Sequence, residues 1–379
     1  MKNGFCIILT FILCTVSLNC HALETSAKAA IVIEAEQGSV IYEKNSSQRL
    51  TMASTTKIMT AICAIEEGNP EQKVKIAPEA VGVEGSSIYL KHGEELTLKE
   101  LVYGLMLNSG NDAAVAIACA VSGDVKSFAQ LMNKKAKEIG VKNTQFKNPN
   151  GLDEEGHYTT AADLAAITAY GLKNDDFRKI VSTYQTTITG NEEAPKRFLT
   201  NHNKLLKRYE GCIGVKTGFT KKSGRCLVSA AERDGVTLVA VTLSAPDDWT
   251  DHTNMLNYGF ERVHSKTMAE KGEPLTELIV KNGVKDSVDI LCESDFSVAA
   301  VDGKRYVTRF KSPGSVDAPV EKGETVGIVE MYMDDKLIGT VPAVTADSVP
   351  IDDTRSIGLS VMQLLHEFTD FDKPLHIDR

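Results

Sequence analysis

The feature that most constrains the fold is a change in the spacing of apolar residues near Gly214. Before it, apolar residues such as Ile58, Ile62 and Ile65 recur at the spacing of an amphipathic helix. After it, short apolar runs predict three strands, at 215–219, 227–231 and 236–243, the last two joined through Asp234-Gly235. Helices combined with an antiparallel sheet predict an α+β fold, with the helices packed around the sheet.

A second change follows further along the chain. A helical pattern is predicted from about Asp248 to Val263, and after about Lys271 the remaining pattern is one of glycine-punctuated short strands, including 324–333 and 337–344. The 379 residues suffice for two domains of roughly 100–200 residues each. We predict a main domain at 23–270, a small all-β domain at 271–350 and a tail at 351–379.

The first 22 residues have the layout of a secretory signal peptide. Lys2 precedes an apolar run at 5–18, and Cys20-His21-Ala22 follows, with cleavage predicted after Ala22. An uncleaved membrane anchor is the alternative, but this run is shorter than the roughly 20 apolar residues that a spanning helix needs. We therefore expect the chain to be exported across the cytoplasmic membrane.

Charge and cysteine content exclude several classes of function. The net charge is -9 without a compensating Lys/Arg cluster, so nucleic acid is not an expected partner. An odd number of cysteines remains beyond the predicted signal peptide, which argues against a disulfide scaffold: Cys63, Cys119, Cys212, Cys226 and Cys292. No His-x-x-x-His or Cys-x-x-Cys spacing occurs, so neither a metal nor a cofactor is predicted.

Ser54-Thr55-Thr56-Lys57 places a hydroxyl and an amine three residues apart at the predicted start of a helix, on one face. A serine hydroxyl is a weak nucleophile until a base takes its proton, and a lysine with a lowered pKa can be that base. The N-terminus of the helix also directs N–H groups toward a developing oxyanion. An isolated match, however, favours an N-cap serine followed by a solvated lysine.

Two further short motifs occur in suitable contexts. Ser109-Gly110-Asn111 interrupts two predicted helices, the first of which begins with the capping box Thr97-Leu98-Lys99-Glu100. A serine there can relay protons and an amide can hold a substrate carbonyl, although the same residues also form ordinary turns. Lys216-Thr217-Gly218 lies on a predicted strand, where a cation and a hydroxyl suit a substrate carboxylate. Their order and contexts together favour a serine acyltransfer site.

From Ala29 to Val344 the chain resembles the low-molecular-mass penicillin-binding proteins of the D-alanyl-D-alanine carboxypeptidase family. Beyond the three motifs, the resemblance includes 53–60, 104–114 and Asn148-Pro149-Asn150-Gly151-Leu152. The later stretches 318–323 and 339–342 resemble the β domain that follows the catalytic domain in that family. The resemblance implies a β-lactamase/transpeptidase-like catalytic domain, no cofactor, peptidoglycan stem peptides as substrate and β-lactam antibiotics as inhibitors. It also implies a location at the outer face of the cytoplasmic membrane or in the cell-wall space.

The resemblance also implies roles for particular residues. Ser54 would attack the carbonyl of the penultimate D-alanine, Lys57 would accept its proton, and Ser109 with Lys216 would help to protonate the departing D-alanine. Backbone N–H groups of Ser54 and Phe219 would form the oxyanion hole. The remaining predicted substrate-binding residues are Asn111, Lys216, Thr217 and Gly218.

One departure from the family pattern concerns the substrate carboxylate. Many relatives carry Arg or Lys within an Asn-x-Asn segment before the Lys-Thr-Gly strand, whereas this chain has Asn201-His202-Asn203. The sequence therefore does not identify the residue that binds the terminal carboxylate of the substrate.

Other functions remain as alternatives. A class A β-lactamase would need a Glu-x-x-x-Asn sequence, which does not occur between Asn148 and Lys216. A DD-endopeptidase of the same superfamily would use the same residues, and a non-catalytic wall-binding or penicillin-sensing protein is a further alternative. The complete set of motif residues counts against a non-catalytic protein.

The tail carries one more pattern, with apolar residues at helical spacing over 356–368: Ile357, Val361, Leu364, Leu365 and Phe368. Family members commonly end in an amphipathic helix on the outer face of the membrane, so peripheral membrane contact is one interpretation. Acidic residues outnumber basic ones beyond this helix, which weakens attraction to anionic lipid. Packing on the chain's own β domain or on a partner is the alternative.

Overall fold

The computed structural model describes residues 23–190, 195–354 and 361–362. The predicted signal peptide lies outside these residues, as does all of the predicted tail helix at 356–368 except Val361 and Met362. Among the described residues no single helix is long and apolar enough to span a membrane, and one bent helix pair, Asn111–Ser122 with Val125–Ile139, passes that test jointly.

The first part of the chain contains both strands and helices. In chain order its elements are β1 (Ala29–Glu34), β2 (Val40–Lys44), α1 (Lys57–Glu67), β3 (Lys73–Lys75), β4 (Glu95–Thr97), α2 (Leu98–Leu107), α3 (Asn111–Ser122), α4 (Val125–Ile139), α5 (Ala161–Leu172), α6 (Asp175–Ser182), β5 (Gln185–Ile188), β6 (Arg197–Thr200), α7 (Leu205–Arg208), β7 (Cys212–Thr220), β8 (Gly224–Arg233), β9 (Val236–Leu243) and α8 (Asp248–Phe260).

From Val263 to Thr345 all the described elements are strands. They are β10 (Val263–Ala269), β11 (Pro274–Lys281), β12 (Ser287–Cys292), β13 (Phe296–Val301), β14 (Tyr306–Lys311), β15 (Ser315–Asp317), β16 (Thr325–Met333) and β17 (Lys336–Thr345).

The central sheet of the first part has the order β2-β1-β9-β8-β7, and each neighbouring pair is antiparallel. Successive side chains of a strand point to opposite faces. On β1, Ile31 and Ile33 accordingly join the core formed with α1 to α6, whereas Ala30 and Val32 join the core formed with α8. Helices therefore cover both faces of this sheet, and the predicted α+β class is confirmed.

Helix α1 lies at the centre of the larger core. Its residues from Lys57 to Ala64 are all buried, and it ends at Gly68, as its sequence predicts. Helix α2 begins with the predicted capping box, because Thr97 and Glu100 each bond the other's backbone N–H. The predicted extension of the last helix to Val263 is wrong: α8 ends at Phe260, and Val263 instead pairs with Val301 in a β-ribbon.

The C-terminal strands form a six-stranded sheet of order β14-β16-β17-β12-β11-β15 and the separate pair β10-β13. This sheet has its own apolar core, which includes Ile290, Val329 and Val341. The pair β10-β13 supplies Val263, Ala299 and Val301 to the core under α8. A small β domain after the helical part is thus present, as predicted.

Candidate active site

Ser54 lies in a 3₁₀ turn, Ala53–Thr56, directly before α1. Ala53 has a φ of 47°, a left-handed conformation that is uncommon for a residue with a side chain. The turn is tied by two buried hydroxyls: Thr55 Oγ1 donates to Met52 O at 2.6 Å and Thr56 Oγ1 donates to Ala53 O at 2.8 Å. Ser54 itself is only half-buried and faces a cleft.

Lys57 is the first residue of α1 and is completely buried. Its Nζ lies 3.0 Å from Ser54 Oγ and donates to Asn111 Oδ1 at 2.6 Å and to the carbonyl oxygen of Asn150. Burial lowers the pKa of this amine well below its ordinary value of 10.5, and the nearby Lys216 lowers it further, against an opposing effect of Asp112. The Lys57 amine therefore has both the position and the lowered pKa of a general base.

Lys216, on β7, is also buried, and burial lowers its pKa to about 7. Its Nζ donates to Thr217 O at 2.8 Å. An amine with this pKa is present in both charged and neutral forms near neutral pH. It can therefore attract an anion or deliver a proton.

Ser109 and Asn111 occupy the junction between α2 and α3, where Ser109 has a φ of 60°. Asn111 is the first residue of α3, so the interhelical loop consists of Asn108, Ser109 and Gly110, and only the first two residues of the motif lie in it. Its amide is fixed on both sides, since Oδ1 accepts from Lys57 and Nδ2 donates to Glu84 O. The neighbouring Asp112 carboxylate accepts from the backbone N–H groups of Ile88 and Leu90, which holds the loop that carries Ser86.

Gly218 allows β7 to lie directly against the turn that carries Ser54. A Cβ at this position would stand 3.0 Å from Ser54 N and 3.1 Å from Thr55 N. Thr217 and Phe219 flank it on the strand, and the Phe219 side chain is exposed. The backbone N–H groups of Ser54 and Phe219 thus belong to two chain segments that are in contact at Gly218.

A cleft of about 350 Å³ opens over these residues. Five of the predicted site residues line it: Ser54, Ser109, Thr217, Gly218 and Phe219. Lys57, Asn111 and Lys216 lie buried beneath it. The structure therefore brings together residues from four separate stretches of the chain: the turn before α1, the α2–α3 junction, the loop at Asn150 and β7.

The cleft also contains residues for which the sequence suggested no role: Ser86, Lys204, Arg225, Asp248 and Trp249. Arg225 donates from Nε and Nη2 to Asp248 Oδ1 at 2.9 and 2.7 Å. The charged ends of Arg225 and Lys204 lie 5.9 and 5.8 Å from the Trp249 ring centre. No local motif indicates these residues. Arg225, for example, reaches the cleft only because it pairs with Phe219 on the adjacent strand.

His202, which replaces the basic residue of the Asn-x-Asn segment, also lines the cleft. Partial desolvation lowers its pKa below the ordinary value of 6.5, and the Lys216 charge adds to this effect. The ring is therefore neutral at neutral pH and cannot replace a permanent cation. Lys204 and Arg225 are the additional positive side chains of the cleft wall.

The stretch 148–151 contacts Lys57 and the Ser54 turn, which its sequence alone did not predict. The carbonyl of Asn150 accepts from Lys57, and Pro149 O accepts from Thr60 Oγ1 of α1 at 2.6 Å. Gly151 has a φ of 86°, and a Cβ there would lie 2.0 Å from Ala53 O. Glycine is thus required both by its backbone conformation and by this close approach.

Comparisons with known proteins agree with this geometry. The model of the D-alanyl-D-alanine carboxypeptidase peptidase family matches residues 16–247, which contain all of the motifs described above. The chain belongs to this family. A second model, the C-terminal domain of penicillin-binding protein 5, matches residues 264–350.

Individual members of the family support the same assignment. D-alanyl-D-alanine carboxypeptidase DacF of Bacillus subtilis is 35% identical over 86% of this chain and 87% of its own length. The structure of penicillin-binding protein 5 from Haemophilus influenzae is similar with a TM-score of 0.65 at 28% identity, covering 86% of this chain and 98% of that one. The structure of the Streptomyces K15 DD-transpeptidase is similar with a TM-score of 0.60 at 34% identity, and the match covers 63% of the present chain and 98% of the Streptomyces chain.

Among the described residues, no group of three His, Cys, Asp or Glu side chains is arranged to hold a metal ion. The five cysteines beyond the predicted signal peptide are free thiols, and three of them are buried. Burial raises the pKa of the Cys226 thiol to about 11, so it behaves as a small apolar side chain rather than a nucleophile.

Proposed function

We propose that this protein is a serine D-alanyl-D-alanine carboxypeptidase, which removes the terminal D-alanine from peptidoglycan stem pentapeptides through an acyl-enzyme on Ser54. The observation that carries the proposal is the hydrogen bonding of Lys57. A neutral amine has two N–H bonds and one lone pair, and Asn111 Oδ1 and Asn150 O accept the two N–H bonds. The lone pair then remains for the hydroxyl proton of Ser54, 3.0 Å away.

In the proposed acylation step, Ser54 Oγ attacks the carbonyl carbon of the penultimate D-alanine while its proton passes to Lys57 Nζ. The negative charge that develops on the carbonyl oxygen is stabilised by the N–H groups of Ser54 and Phe219. The peptide C–N bond breaks, and the proton held by Lys57 passes through Ser109, with the help of Lys216, to the departing D-alanine amine. Water then attacks the ester carbonyl while the neutral Lys57 takes its proton. The bond to Ser54 Oγ breaks, the proton returns to Ser54, and the shortened stem is released.

Substrate binding is proposed to involve Asn111 and the Lys216-Thr217-Gly218 strand, along whose edge the stem would lie. The cationic form of Lys216 and the hydroxyl of Thr217 would hold the terminal carboxylate. β-Lactams would acylate Ser54 in the same cleft. The proposal also includes export through the predicted signal peptide and a domain boundary between residues 270 and 271. It further includes peripheral membrane contact by the tail.

A penicillin-labelling experiment tests the nucleophile. Ser54→Ala should abolish both labelling by a tagged penicillin and D-alanine release from a pentapeptide stem, while thermal unfolding stays close to that of the parent. Ser47→Ala, which alters an exposed serine outside the cleft, is the matched control and should retain both activities. Covalent labelling that persists in Ser54→Ala would contradict the proposed mechanism.

A DD-endopeptidase would use the same catalytic residues, so the two activities must be separated by substrate. Release of D-alanine from monomeric pentapeptide should be faster than cleavage of a cross-linked dimer. Faster cleavage of the dimer would assign the endopeptidase activity instead. Penicillin binding with no turnover of either substrate would indicate a penicillin-sensing protein.

A further inference from the structure

His157 is a buried histidine beneath the Ser54 turn, on the loop between α4 and α5, and it does not line the cleft described above. Its ring is fixed on three sides. Nδ1 accepts from the backbone N–H of Lys147 at 3.0 Å, Nε2 lies 2.8 Å from Thr56 Oγ1, and the ring packs edge-to-face on Phe146 at 6.0 Å between centroids. These contacts leave the ring little freedom to rotate.

The direction of each hydrogen bond follows from these partners. Because a backbone N–H donates to Nδ1, the proton of the neutral ring is on Nε2, which must donate to Thr56 Oγ1. The hydroxyl proton of Thr56 is directed to Ala53 O, 2.8 Å away. Burial lowers the pKa of His157 to about 4, so the ring is neutral at neutral pH and this direction holds.

The end of this chain of hydrogen bonds is the peptide group next to the nucleophile. The carbonyl of Ala53 and the N–H of Ser54 belong to one planar peptide unit, so fixing the oxygen also fixes the direction of the N–H. A hydrogen bond accepted by the oxygen also polarises the unit and strengthens its N–H as a donor, by about 10–30% per bond. The left-handed φ of Ala53 makes such fixation necessary, because this conformation is unfavourable for alanine.

We infer that His157 is a positioning residue, which acts through Thr56 and the Ala53–Ser54 peptide to orient and polarise the oxyanion-binding N–H of Ser54. This inference rests on the proposed acyl-enzyme function. The hydrogen bonds run in one direction, from His157 Nε2–H to Thr56 Oγ1–H, then through the Ala53–Ser54 peptide to the oxyanion. Neither side chain touches the substrate.

The test measures how strongly the acyl-enzyme carbonyl is polarised. The enzyme is acylated with a β-lactam carrying ¹³C at the reactive carbonyl, and the ester stretch is recorded by infrared difference spectroscopy. A strong oxyanion hole lowers this frequency. We expect His157→Phe and Thr56→Val to raise it and to slow acylation about tenfold, less than the about 10²- to 10³-fold of a lost oxyanion donor.

Conservative variants should restore the signal. Glutamine at position 157 can accept from Lys147 N–H and donate to Thr56, and serine at position 56 keeps the hydroxyl. His157→Gln and Thr56→Ser should therefore have carbonyl frequencies and acylation rates close to those of the parent. A merely structural role of His157 would move the unfolding temperature of His157→Phe but leave the carbonyl frequency where it is.

Two control variants measure how much stability is lost when a buried histidine or threonine outside the Ser54 turn is replaced. His252 is buried between Ser229 and Thr242, and Thr168 Oγ1 donates to Leu164 O within α5 at 2.7 Å. His252→Phe and Thr168→Val should lower the unfolding temperature without changing the carbonyl frequency. If His157→Phe does not fold, the pair Thr56→Val and Thr56→Ser decides the question alone.

The possible failures are distinguishable. Absence of any acyl-enzyme in the parent protein would overturn the proposed function and with it this inference. Normal acylation of the parent, with an unshifted carbonyl band and an unchanged acylation rate in both His157→Phe and Thr56→Val, would overturn only the inference.

Discussion

Lys57 and Lys216 show at the scale of single residues how one physical effect, burial, serves two proposed roles. Burial disfavours the charged form of both amines. Lys57 also lies near the charge of Lys216, whereas burial alone accounts for the lowered pKa of Lys216. Lys57 thus has the additional cause to be neutral, which leaves its lone pair able to accept a proton, and Lys216 keeps its charge up to about pH 7. Arginine could not replace Lys57 as a base, because its guanidinium does not deprotonate in this range, although it could supply the positive charge of Lys216.

The pH dependence of acylation follows from these two amines. kcat/KM should require neutral Lys57 and charged Lys216, so it should fall as the pH rises through about 7, where free Lys216 loses its proton. The charged or titratable groups coupled to this pair are Asp112 and His202. In Lys216→Arg the charge persists, so this alkaline limb should move to higher pH even though the rate is lower. Stopped-flow acylation at varied pH measures both profiles, and an alkaline limb that stays near 7 in Lys216→Arg would contradict the assignment.

Burial of Lys216 also has a consequence for stability. Its folded-state pKa, about 7, is below its ordinary value of 10.5, so between these pH values the unfolded chain binds more protons and the free energy of unfolding rises with pH. At pH 7 the native state carries most of this penalty. We expect Lys216→Met to inactivate the enzyme and to raise its stability by about 0.5–2 kcal/mol.

Urea unfolding of both proteins at pH 7 and pH 10 measures this effect. The advantage of Lys216→Met should shrink at the higher pH, because pH 10 is close to the ordinary pKa of 10.5 and the unfolded chain then gains little from keeping the proton that the native state has lost. A variant that is less stable than the parent at pH 7 would show that the Lys216 hydrogen bond to Thr217 O outweighs the desolvation of the amine.

At the scale of secondary structure, the site depends on the contact between β7 and the 3₁₀ turn before α1. The two segments are far apart in sequence and meet because β7 is the edge strand of the central sheet, next to the first residues of the buried α1. Gly218 permits the approach, since its backbone lies against Ser54 N and Thr55 N. A side chain here must separate the strand from the turn.

Gly218→Ala should therefore damage catalysis more than folding. A Cβ at 3.0 Å from Ser54 N forces the two oxyanion N–H groups apart, and we expect penicillin acylation to slow by about 10²-fold, the size of effect seen when an oxyanion donor is lost. Gly314→Ala is a suitable control, because that position has open space around it and no left-handed φ. Equal acylation rates in the two variants would mean that the contact at Gly218 is not critical.

At the scale of the whole molecule, the described chain contains three apolar cores: one between the central sheet and α1 to α6, one under α8, and one in the C-terminal sheet. The β10-β13 pair shares the core under α8, and Ser39 Oγ contacts Met333 Sδ at 3.3 Å. The C-terminal strands therefore pack on the helical part of the chain.

The proposed membrane contact of the tail is tested on the full-length mature protein. We expect protein starting at residue 23 to sediment with liposomes of anionic lipid, and a version ending at Asp353 to stay in the supernatant. Because few basic residues are available, high salt should change the bound fraction little, and apolar contacts should dominate. If both versions remain in the supernatant, the tail helix is explained by packing on protein instead.

The sequence by itself determined much of the local structure. The capping box at Thr97, the end of α1 at Gly68 and the three strands after Gly214 depend on neighbouring residues, and all three are present. The predicted end of α8 was wrong because Val263 pairs with Val301, a partner remote in sequence that overrides the local helical spacing. The sequence patterns did not predict the bounds of helices α4, α5 and α6.

The three motifs likewise identified the candidate site, because a serine, a lysine and their helical spacing are local facts. Only the tertiary structure decided what surrounds them. Folding brings together the segments that bury Lys57 and Lys216. It also places Asn150 O where it accepts an N–H of Lys57, and His157 where it contacts Thr56. A sequence shows which groups can titrate or donate, whereas their pKa values and hydrogen-bond directions are set by desolvation and by partners remote along the chain.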